Sequence, residues 1–573
     1  MSAVLEAREP SATYLTTLRP WLLQHFETVA HASGSIGRFR NLILLLAVTG
    51  KLVRQDANDE PATTLAERLQ QARAQRVVSG RTKRPNPSNV SDNDLAGLPE
   101  SWVWVRLADV VHVLNGRAYA KEELLERGST PVLRVGNLFT SNHWYHSNLE
   151  LEPAKYCNEG DLLYAWSASF GPFIWNGPTA IYHYHIWKLE PVLPEAFNVK
   201  YLYLYLLEKT AEIKAAGHGV SMVHMTKEKM EALFVPLPPL AEQARIVARV
   251  DELMRLCDAL EAKGRLEAEQ HARLLGTLLG TLTDSATPEQ LAANWQRVAA
   301  HFDLLLDRPE AVDALEQTVL QLAVRGLLIA QCSSDEPAAA VVERIKAADQ
   351  APNGRRAVEL DEIEAEDTPF AAPPGWEWTR FGTVAAVSGG VTLGRKAAVA
   401  GPITLPYLRV ANVQRWRLDL HAMKTITIGE SELDRYRLAQ GDLLITEGGD
   451  WDKVGRTAIW KSEIPTCLHQ NHVFKARGRT KEWSAEWAEL YLNSDLARAY
   501  FAASAKQTTN LASINMTELK NCAFPMPPLA EQARIVARVT ELRCLCTTLR
   551  QRLAAQQTVQ SHLADALVEQ ALA

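Results

Sequence analysis

Three polar loops in the second half of the chain carry side-chain types that proteins use to contact DNA. Lysine and arginine grip phosphates, whereas arginine, asparagine and glutamine can form paired hydrogen bonds with base edges. The first loop, residues 447–456, is bounded by glycines, and the second, residues 469–472, concentrates amides and imidazoles. The third loop, residues 506–513, lies close to the end of this half. The candidate DNA-binding residues of the three loops are Lys453, Arg456, Gln470, Asn471, His472, Lys506, Gln507, Thr508, Thr509, Asn510 and Ser513.

A purely structural role is the alternative for the amide-rich loop. Short polar side chains, asparagine especially, often hydrogen-bond to nearby backbone and only shape a turn. The sequence leaves both interpretations of Gln470, Asn471 and His472 open.

The first half offers corresponding candidates with weaker support from charge. Residues 98–235 contain 12 Lys and Arg against 15 Asp and Glu, whereas residues 373–524 contain 19 against 15. The net charge of the whole chain is −6, which does not indicate a polyanion held by charge alone. The candidate DNA-binding residues of the first half are Arg117, Lys121, Ser167, Ser169, His218, Ser221, His224 and Lys227.

A Leu-Arg-Val-x-Asn piece occurs in both halves, at residues 133–137 and 408–412. The two arginines of this piece occupy repeated positions in predicted strands. We therefore add to the DNA-binding candidates Arg134, Arg409 and Asn412. For these arginines a structural ion pair and a DNA contact are equal alternatives.

Two other chemistries find little support in the spacing of residues. Seven of the 15 histidines lie in residues 98–235, with His183 and His185 as a close pair. A metal site needs convergent ligands, usually with cysteine or carboxylate help, and the aromatic neighbours of this pair favour packing. Asp450, Asp452 and Lys453 resemble a nuclease carboxylate–lysine set only superficially, because no upstream acidic partner is recognisable. We therefore predict no metal site and no catalytic residue.

Motifs of cofactor chemistry are missing from the sequence. It contains no Gly-x4-Gly-Lys-Ser/Thr phosphate loop and no Gly-x-Gly-x-x-Gly. It also lacks the Asn-Pro-Pro-Tyr/Phe motif in which adenine methyltransferases resemble one another. We expect no cofactor, and any cofactor chemistry is expected in other chains.

The elements that position these residues come in two copies. Residues 238–250 and residues 527–539 both read PPLAEQARIVARV, 289 residues apart. Other pieces recur at similar offsets, including Gly160-Asp161 with Gly441-Asp442 and Asp59-Glu60-Pro61 with Asp335-Glu336-Pro337. A period this long exceeds that of a solenoid and indicates tandem duplication of a domain-sized unit.

Each copy divides into helical, mixed and long-helix parts. Amphipathic spacing predicts helices in the first part, and aromatic and β-branched clusters broken by turns predict a mixed domain in the second. A helix is expected near residues 199–215 and its counterpart near 485–503. The predicted boundaries are a helical segment 1–78, a linker 79–97, a mixed domain 98–235, a central long helix 236–285, a second helical segment 286–350, a linker 351–372, a second mixed domain 373–524 and a C-terminal long helix 525–573.

The long helices show apolar residues at alternating steps of four and three, which is typical of a coiled-coil seam. Packing of each helix on a globular core is the alternative for one copy alone. Two copies with the same seam favour mutual packing, and Leu274 and Leu278 in the first helix and Leu563 and Leu567 in the second are expected to continue it. The seam residues are Ile246, Val250, Leu253, Leu260, Ile535, Val539, Leu542, Leu549 and Leu553. The predicted fold class is α+β, with two mixed α/β domains separated by long antiparallel coiled-coil helices and a pseudo-two-fold internal repeat.

No apolar run of about 18 residues and no secretion signal is present, and the seven cysteines are scattered. These features lead us to expect a cytoplasmic protein.

On the phrase that opens each long helix, residues 236–247 and 525–536, the chain resembles the specificity subunit of Type I restriction–modification systems. Met526 is the one departure from the Pro-Leu-Pro-Pro-Leu-x-Glu-Gln-x-x-Ile-Val pattern. The resemblance covers nearly the whole chain, and the helical segments ahead of each domain suggest one of the longer members. It implies a non-catalytic subunit that reads a split sequence in double-stranded DNA. It also implies two methyltransferase subunits as partners, which in turn allow restriction or motor subunits to join.

Two other function classes remain as alternatives. A helical scaffold whose β-rich modules bind protein is the second hypothesis, slightly favoured by the acidic total charge. A hydrolase using the first half's histidines is the third, and nothing in their spacing supports it. Binding to DNA that weakens steeply with salt would separate the first hypothesis from the second, since phosphate contacts release counterions.

Overall fold

A computed structural model describes residues 34–78, 97–166, 170–216, 226–285, 287–349, 360–394, 400–449, 453–508 and 511–572. The chain forms two compact units. Unit 1 comprises residues 1–267 and 557–573, and unit 2 comprises residues 268–556. No helix in the described ranges is both long and apolar enough to cross a membrane.

Unit 1 contains two helices, a sheet-rich region and the start of a long helix. Strand β1 pairs antiparallel with β10 and so closes the sheet-rich region at its two ends. Two four-stranded sheets lie between them, in the orders β2-β9-β6-β7 and β4-β3-β8-β5. The helices are α1 (Ser35–Val48), α2 (Ala62–Val78), α3 (Leu107–Val110), α4 (Val135–Phe139), α5 (Val199–Ala216), α6 (Lys227–Glu231) and α7 (Leu240–Thr283); the strands are β1 (Val103–Arg106), β2 (Val111–Asn115), β3 (Thr130–Leu133), β4 (Tyr145–Ser147), β5 (Tyr156–Cys157), β6 (Leu162–Ala165), β7 (Gly171–Ile174), β8 (Ala180–Tyr182), β9 (Ile186–Pro191) and β10 (Phe234–Leu237).

Unit 2 repeats this plan. Its helices are α8 (Pro288–Ala299), α9 (Phe302–Leu305), α10 (Pro309–Val324), α11 (Ala338–Asp349), α12 (Phe381–Val384), α13 (Leu433–Tyr436), α14 (Ala485–Leu492), α15 (Asp495–Ser504), α16 (Met516–Asn521) and α17 (Leu529–Leu572). Its strands are β11 (Glu377–Arg380), β12 (Ala385–Ser388), β13 (Pro402–Leu408), β14 (Val413–Gln414), β15 (Arg417–Leu418), β16 (Lys424–Gly429), β17 (Leu443–Thr446), β18 (Gly448–Gly449), β19 (Thr457–Ile459), β20 (Leu468–His469), β21 (Val473–Gly478), β22 (Lys506–Thr508), β23 (Leu511–Ser513) and β24 (Ala523–Met526).

The two sheet-rich regions share one topology. The main sheet of unit 2 has the order β12-β21-β17-β19, which is the same first, fourth, second, third arrangement as β2-β9-β6-β7 in unit 1. In each region one strand pair is parallel, β3 with β8 and β13 with β20, and the outer strands β1·β10 and β11·β24 are antiparallel. The predicted mixed fold with two sheet-rich regions and a long helix is therefore confirmed.

The helix predicted near residues 485–503 is two helices, α14 and α15. Asn493 and Ser494 interrupt it: the Ser494 hydroxyl accepts a hydrogen bond from the N–H of Ala497 at 3.5 Å and so caps α15. The Asn493 side chain bonds to the backbone of Thr457 in β19. Short polar side chains of this kind favour helix starts over helix interiors, which explains the break.

The apolar seam of the long helices is divided among separate cores. In unit 1, Ile246 and Val250 are buried in the core of the sheet-rich region and Leu253 packs partly against it. In unit 2, Ile535 and Val539 are buried in the core of the second region. Leu549 and Leu553 pack partly against a core formed mainly by α8, α10 and the end of α7, while Leu260 and Leu542 are half-buried. Mutual packing of the two helices, antiparallel or otherwise, stays a prediction.

The prediction that Leu274 and Leu563 continue the seam is wrong. Leu274 is 54% exposed and Leu563 is 45% exposed, whereas their neighbours Leu275 and Ala564 are buried. Leu275 follows the buried Cys257 by 18 residues, and Ala564 follows the buried Cys546 by 18. Eighteen residues make five turns of a straight helix, so the buried stripe keeps a period of 3.6 rather than the heptad's 3.5.

Candidate nucleic-acid interface

The three polar loops of the second half converge in unit 2. Strand β18, which lies in the first loop, pairs with β23 at the end of the third loop. The N–H of Glu447 donates to the carbonyl of His472 at 3.0 Å, which joins the first loop to the second. The N–H of Ile514 donates to the carbonyl of Glu447 at 2.9 Å, which ties in the third. Residues about 65 positions apart in the sequence therefore share one surface.

The side chains at this convergence remain accessible. Lys453, His472 and Ser513 are exposed, and Gln470 and Asn471 are half-buried. Thr509 and Asn510 lie outside the described residues, and for Lys506, Gln507 and Thr508 only the backbone, in β22, is described.

Two side-chain contacts lie at the edges of this surface. The His472 Nδ1 atom lies 2.7 Å from a carboxylate oxygen of Glu447. The Arg456 guanidinium donates to the Gln414 side-chain oxygen at 2.6 Å. Both contacts fix the orientation of the side chains that they join. Sequence reasoning did not identify Glu447 or Gln414, because both positions are defined only by the fold.

The Leu-Arg-Val-x-Asn piece is a helix cap that directly follows β3 and β13, not a strand interior. The Oδ1 atom of Asn137 accepts the N–H of Arg134 at 3.1 Å, and that of Asn412 accepts the N–H of Arg409 at 2.9 Å. Asn412 is 2% exposed, and its amide donates to the carbonyl of Asp419 at 2.7 Å. We therefore withdraw Asn412 from the proposed DNA contacts.

The two arginines of the caps differ in their surroundings. Arg134 is exposed and its guanidinium lies 5.4 Å from the ring centre of Tyr145, a cation–π arrangement. Arg409 donates from Nη2 to the carbonyl of Ala422 at 2.6 Å. Neither arginine has an ion-pair partner among the contacts that the described residues record, so the structural alternative for them rests on packing and backbone bonds.

In unit 1 a polar cleft of about 370 Å³ adjoins the first cap. Its lining includes Arg134, Ser141, His143, Tyr145, His183 and His185. Burial, followed by the nearby His185 and Arg134, lowers the pKa of His183 to about 4, so its ring is neutral at neutral pH. A neutral imidazole offers one donor and one acceptor. The sequence analysis interpreted both histidines as packing residues, although their alternating positions between β8 and β9 could have identified them as candidate site residues.

The other candidates of unit 1 are spread more widely. Arg117 donates to a carboxylate oxygen of Glu123 at 2.7 Å, and this bond lowers the pKa of Glu123. Lys121 is exposed in the same loop, and Lys227 pairs with Glu231 at 3.5 Å within α6. Ser167, Ser169, His218, Ser221 and His224 lie outside the described residues.

The repeated phrase at the start of each long helix is a structural junction away from these loops. In unit 1, Arg245 donates to both carboxylate oxygens of Asp59, at 3.1 and 2.6 Å. The Gln243 side chain accepts the N–H of Asn198 at 2.8 Å and donates to the carbonyl of Pro238 at 3.0 Å. The phrase therefore ties the long helix to the helical segment and to α5.

Unit 2 builds the same junction. Arg534 donates to both oxygens of Asp335, at 3.3 and 2.6 Å, and Gln532 donates to the carbonyl of Pro527 at 2.8 Å. The indole N–H of Trp376 donates to the buried Glu531 at 3.0 Å, and burial raises the pKa of that carboxyl group. Hydrogen bonds inside each unit thus account for the repetition of Gln243 as Gln532 and of Arg245 as Arg534.

Comparison with known proteins places the chain among one set of relatives. A family model described as the Type I restriction modification DNA specificity domain matches residues 99–270 and 373–556. The Type I restriction enzyme EcoAI specificity subunit of Escherichia coli is 31% identical over an alignment 568 residues long, and the alignment covers 94% of each chain. The EcoEI specificity subunit of the same species is 29% identical over an alignment 567 residues long, which again covers 94% of each chain. The crystal structure of the HsdS subunit from Thermoanaerobacter tengcongensis aligns with 83% of this chain and 97% of its own, at 18% identity and a TM-score of 0.37.

Proposed function

Because the chain belongs to the Type I restriction–modification specificity family, whose members recognise DNA sequence, we propose that each of its sheet-rich regions reads one half of a bipartite, asymmetric DNA site. The first recognition region is residues 98–235 and the second is residues 373–524. The two halves of the target differ because the accessible side chains of the two regions differ.

The convergence of three polar loops in unit 2 carries this proposal. Accessible amide, imidazole, hydroxyl and ammonium groups on one surface supply both phosphate contacts and base-edge hydrogen bonds. The contact residues that we propose there are Lys453, Arg456, Gln470, Asn471, His472, Ser513 and the loop 506–510, with Arg409 beside them. In unit 1 we propose Arg117, Lys121, Arg134 and Lys227, together with Ser167, Ser169, His218, Ser221 and His224.

Exchange of one region tests the proposal. Replacing residues 373–524 by the recognition region of another family member is expected to change one half of the methylated sequence and leave the other half intact. The measurement is single-molecule methylation sequencing of DNA from cells that carry the subunit with its methyltransferase partners. Loss or change of both halves together would show that the regions do not read independently.

Binding measurements provide a second test. The assembled complex is expected to bind a duplex carrying its site with an affinity that falls steeply as salt rises, because phosphate contacts release counterions. Affinity that does not change between low and moderate salt would favour the alternative of a scaffold for protein partners. The relatives do not favour that alternative.

Catalysis in this proposal belongs to other subunits. The long helices and the helical parts 14–75 and 294–349 would dock two methyltransferase subunits, and restriction or motor subunits would join through the complex. Co-expression is expected to yield two methyltransferase chains for each copy of this chain, measured by native mass spectrometry. A stable solitary monomer with full sequence-specific affinity would contradict obligate assembly.

A further inference from the structure

A three-residue turn in each recognition region is held by the same set of backbone hydrogen bonds. In unit 1 this first turn is residues 183–185, between β8 and β9. Its first N–H donates to the carbonyl of Leu133 at 2.9 Å and its second to that of Arg117 at 3.0 Å. Its last carbonyl accepts the N–H of Trp166 at 3.1 Å.

The second turn, residues 470–472 in unit 2, repeats every one of these bonds. Its first N–H donates to the carbonyl of Leu408 at 2.9 Å and its second to that of Val391 at 3.0 Å. Its last carbonyl accepts the N–H of Glu447 at 3.0 Å. In both turns the residue after the turn donates to the carbonyl of the turn's first residue, at 2.9 Å. The backbone position of the turn is therefore fixed in the same way in the two regions.

A glycine makes the close approach behind each turn possible. A Cβ atom on Gly116 would clash with the carbonyl oxygen of His183, and one on Gly390 would clash with that of His469. The residue after each glycine forms an isolated parallel bridge with the turn, Arg117 with His183 and Val391 with Gln470. Only a residue without a side chain lets the two backbones meet at this distance.

The side chains on this shared frame differ and are accessible. The first turn presents His183, Tyr184 and His185, of which Tyr184 is 41% exposed. The second presents Gln470, Asn471 and His472, with His472 exposed and the other two half-buried. Glutamine and asparagine amides match the adenine edge with paired hydrogen bonds, whereas an imidazole and a phenol offer single donors and acceptors. The last position is histidine in both, so the turns differ at two positions only.

Each turn also adjoins the other candidate contacts of its region. The first turn forms one wall of the cleft that Arg134, Ser141 and Tyr145 line. The second lies where the three polar loops converge, bonded to Glu447.

We propose that the turns 183–185 and 470–472 are the specificity-determining segments of the two recognition regions, the side chains at 183 and 184 and at 470 and 471 selecting bases in their respective half-sites. This inference rests on the proposed reading of two half-sites. The two turns keep the same backbone frame after duplication and differ only in accessible side chains. This arrangement is expected of a segment that changes its base preference without changing its fold.

Reciprocal exchange of the two differing positions tests the inference. The double variant H183Q/Y184N gives the first turn the side chains of the second, and Q470H/N471Y does the reverse. Each variant is co-expressed with its methyltransferase partners in cells carrying a plasmid library of randomised sites, and methylated sites are sequenced. We expect H183Q/Y184N to change the preferred base by about tenfold or more at one or more positions of the first half-site. The second half-site should stay unchanged, and Q470H/N471Y should show the opposite pattern.

Controls separate a change of preference from a loss of folding. Glu159 is exposed and lies at the opposite end of β6 from Trp166. The control variant Glu159→Gln should keep the parental sequence preference. Continued reading of the untouched half-site shows that a variant complex has assembled, and Tyr184→Asn alone is the fallback if the double variant does not fold. Parental preference in both exchanged variants, or an equal loss on all sequences, would overturn the inference. A parental complex with no bipartite preference at all would instead overturn the proposed function.

Discussion

Burial decides the charge of Glu489 in α14. Its side chain accepts the N–H of Ile459 at 3.1 Å, and burial raises its pKa to about 7 against the nearby charges of Lys461 and Arg543. Because this pKa exceeds the ordinary glutamate value of 4.5, the folded state binds the proton more tightly than the unfolded state does. Its contribution to stability is therefore present in full below pH 4.5 and is lost as the pH rises through about 7.

Glu489→Gln should remove this pH dependence, because an amide oxygen can still accept the Ile459 N–H but never ionises. At pH 8 the variant is expected to have a free energy of unfolding greater than the parent by about 3 kcal/mol, and the difference should shrink towards pH 5. Denaturant titration of both proteins at each pH measures it. A difference that does not change between pH 5 and pH 8 would show that the carboxyl group titrates normally.

The sequence identified the polar loops of unit 2 from residue types, but it could not show that they converge. Convergence depends on pairing between β18 and β23, two strands of two and three residues whose partners lie far apart in the sequence. In unit 1 the sequence set His183 and His185 aside, because local aromatic neighbours favour packing. Only the backbone bonds reveal that these histidines occupy the positions of Gln470 and His472.

Asn412 shows the opposite error, in which the sequence suggests a contact residue that the structure uses for another purpose. Its repeated position in both halves suggested a DNA contact, yet its amide is used for capping and is buried. Repetition between duplicated halves identifies what both folds need. Residues that read different sequences are expected where the copies differ.

At the scale of elements, the turn that ends α10 depends on Gly326. It adopts φ of 70°, and a Cβ atom there would lie 2.8 Å from Cγ of Pro373 and 2.9 Å from Cζ2 of Trp376. Gly50 holds the same place after α1, with φ of 73°, against Pro99 and Trp102. These contacts attach each helical segment to the start of its recognition region.

Gly326→Ala is expected to lower the free energy of unfolding of unit 2 by about 2–4 kcal/mol, from left-handed backbone strain and overpacking together. Thermal or denaturant unfolding of the full chain measures this loss. Gly264→Ala is the matched control, because a Cβ atom at Gly264 in α7 meets nothing within 4 Å. Alanine is the better helix former by about 1 kcal/mol, so this variant should gain stability. Equal effects of the two substitutions would contradict the role of Gly326.

The elements themselves were predicted better than their registers. Amphipathic spacing and the proline-rich phrases indicated both long helices, and the structure extends each over 44 residues. The heptad pattern failed towards the C-terminal end of each helix, at Leu274 and Leu563, because the buried stripe keeps the 3.6 residues per turn of a straight helix. Tertiary packing, not the spacing of leucines, decides that Leu275 and Ala564 are buried.

At the scale of the whole molecule, we propose that the long helices set the spacing between the two half-sites, and this role gives a measurable outcome. Inserting seven residues after Lys263 in α7 and after Ala555 in α17 adds about 10 Å to each helix and changes its phase by only about 20°. Because a base pair rises about 3.4 Å, we expect the unspecified gap between half-sites to grow by about three base pairs. Methylation sequencing measures the gap.

A length-matched control isolates the effect. Replacing residues 261–267 by seven alanine-rich helix formers keeps the length of α7 and should leave the gap unchanged. An insertion variant that still methylates sites with the parental gap would show that the helices do not set the spacing.

The middle of α7 has one more consequence. Residues 261–270 are all exposed, while buried residues lie on both sides of them. Almost any helix-compatible substitution should be tolerated there, yet deletion of a single residue would shift by about 100° the helical phase between Cys257, in the core of unit 1, and Leu275, in a core of unit 2. A mutational scan of residues 261–270 should therefore show near-neutral substitutions but severe effects of single-codon deletions. Such a result would mean that the number of residues in this stretch is constrained and their identity is not.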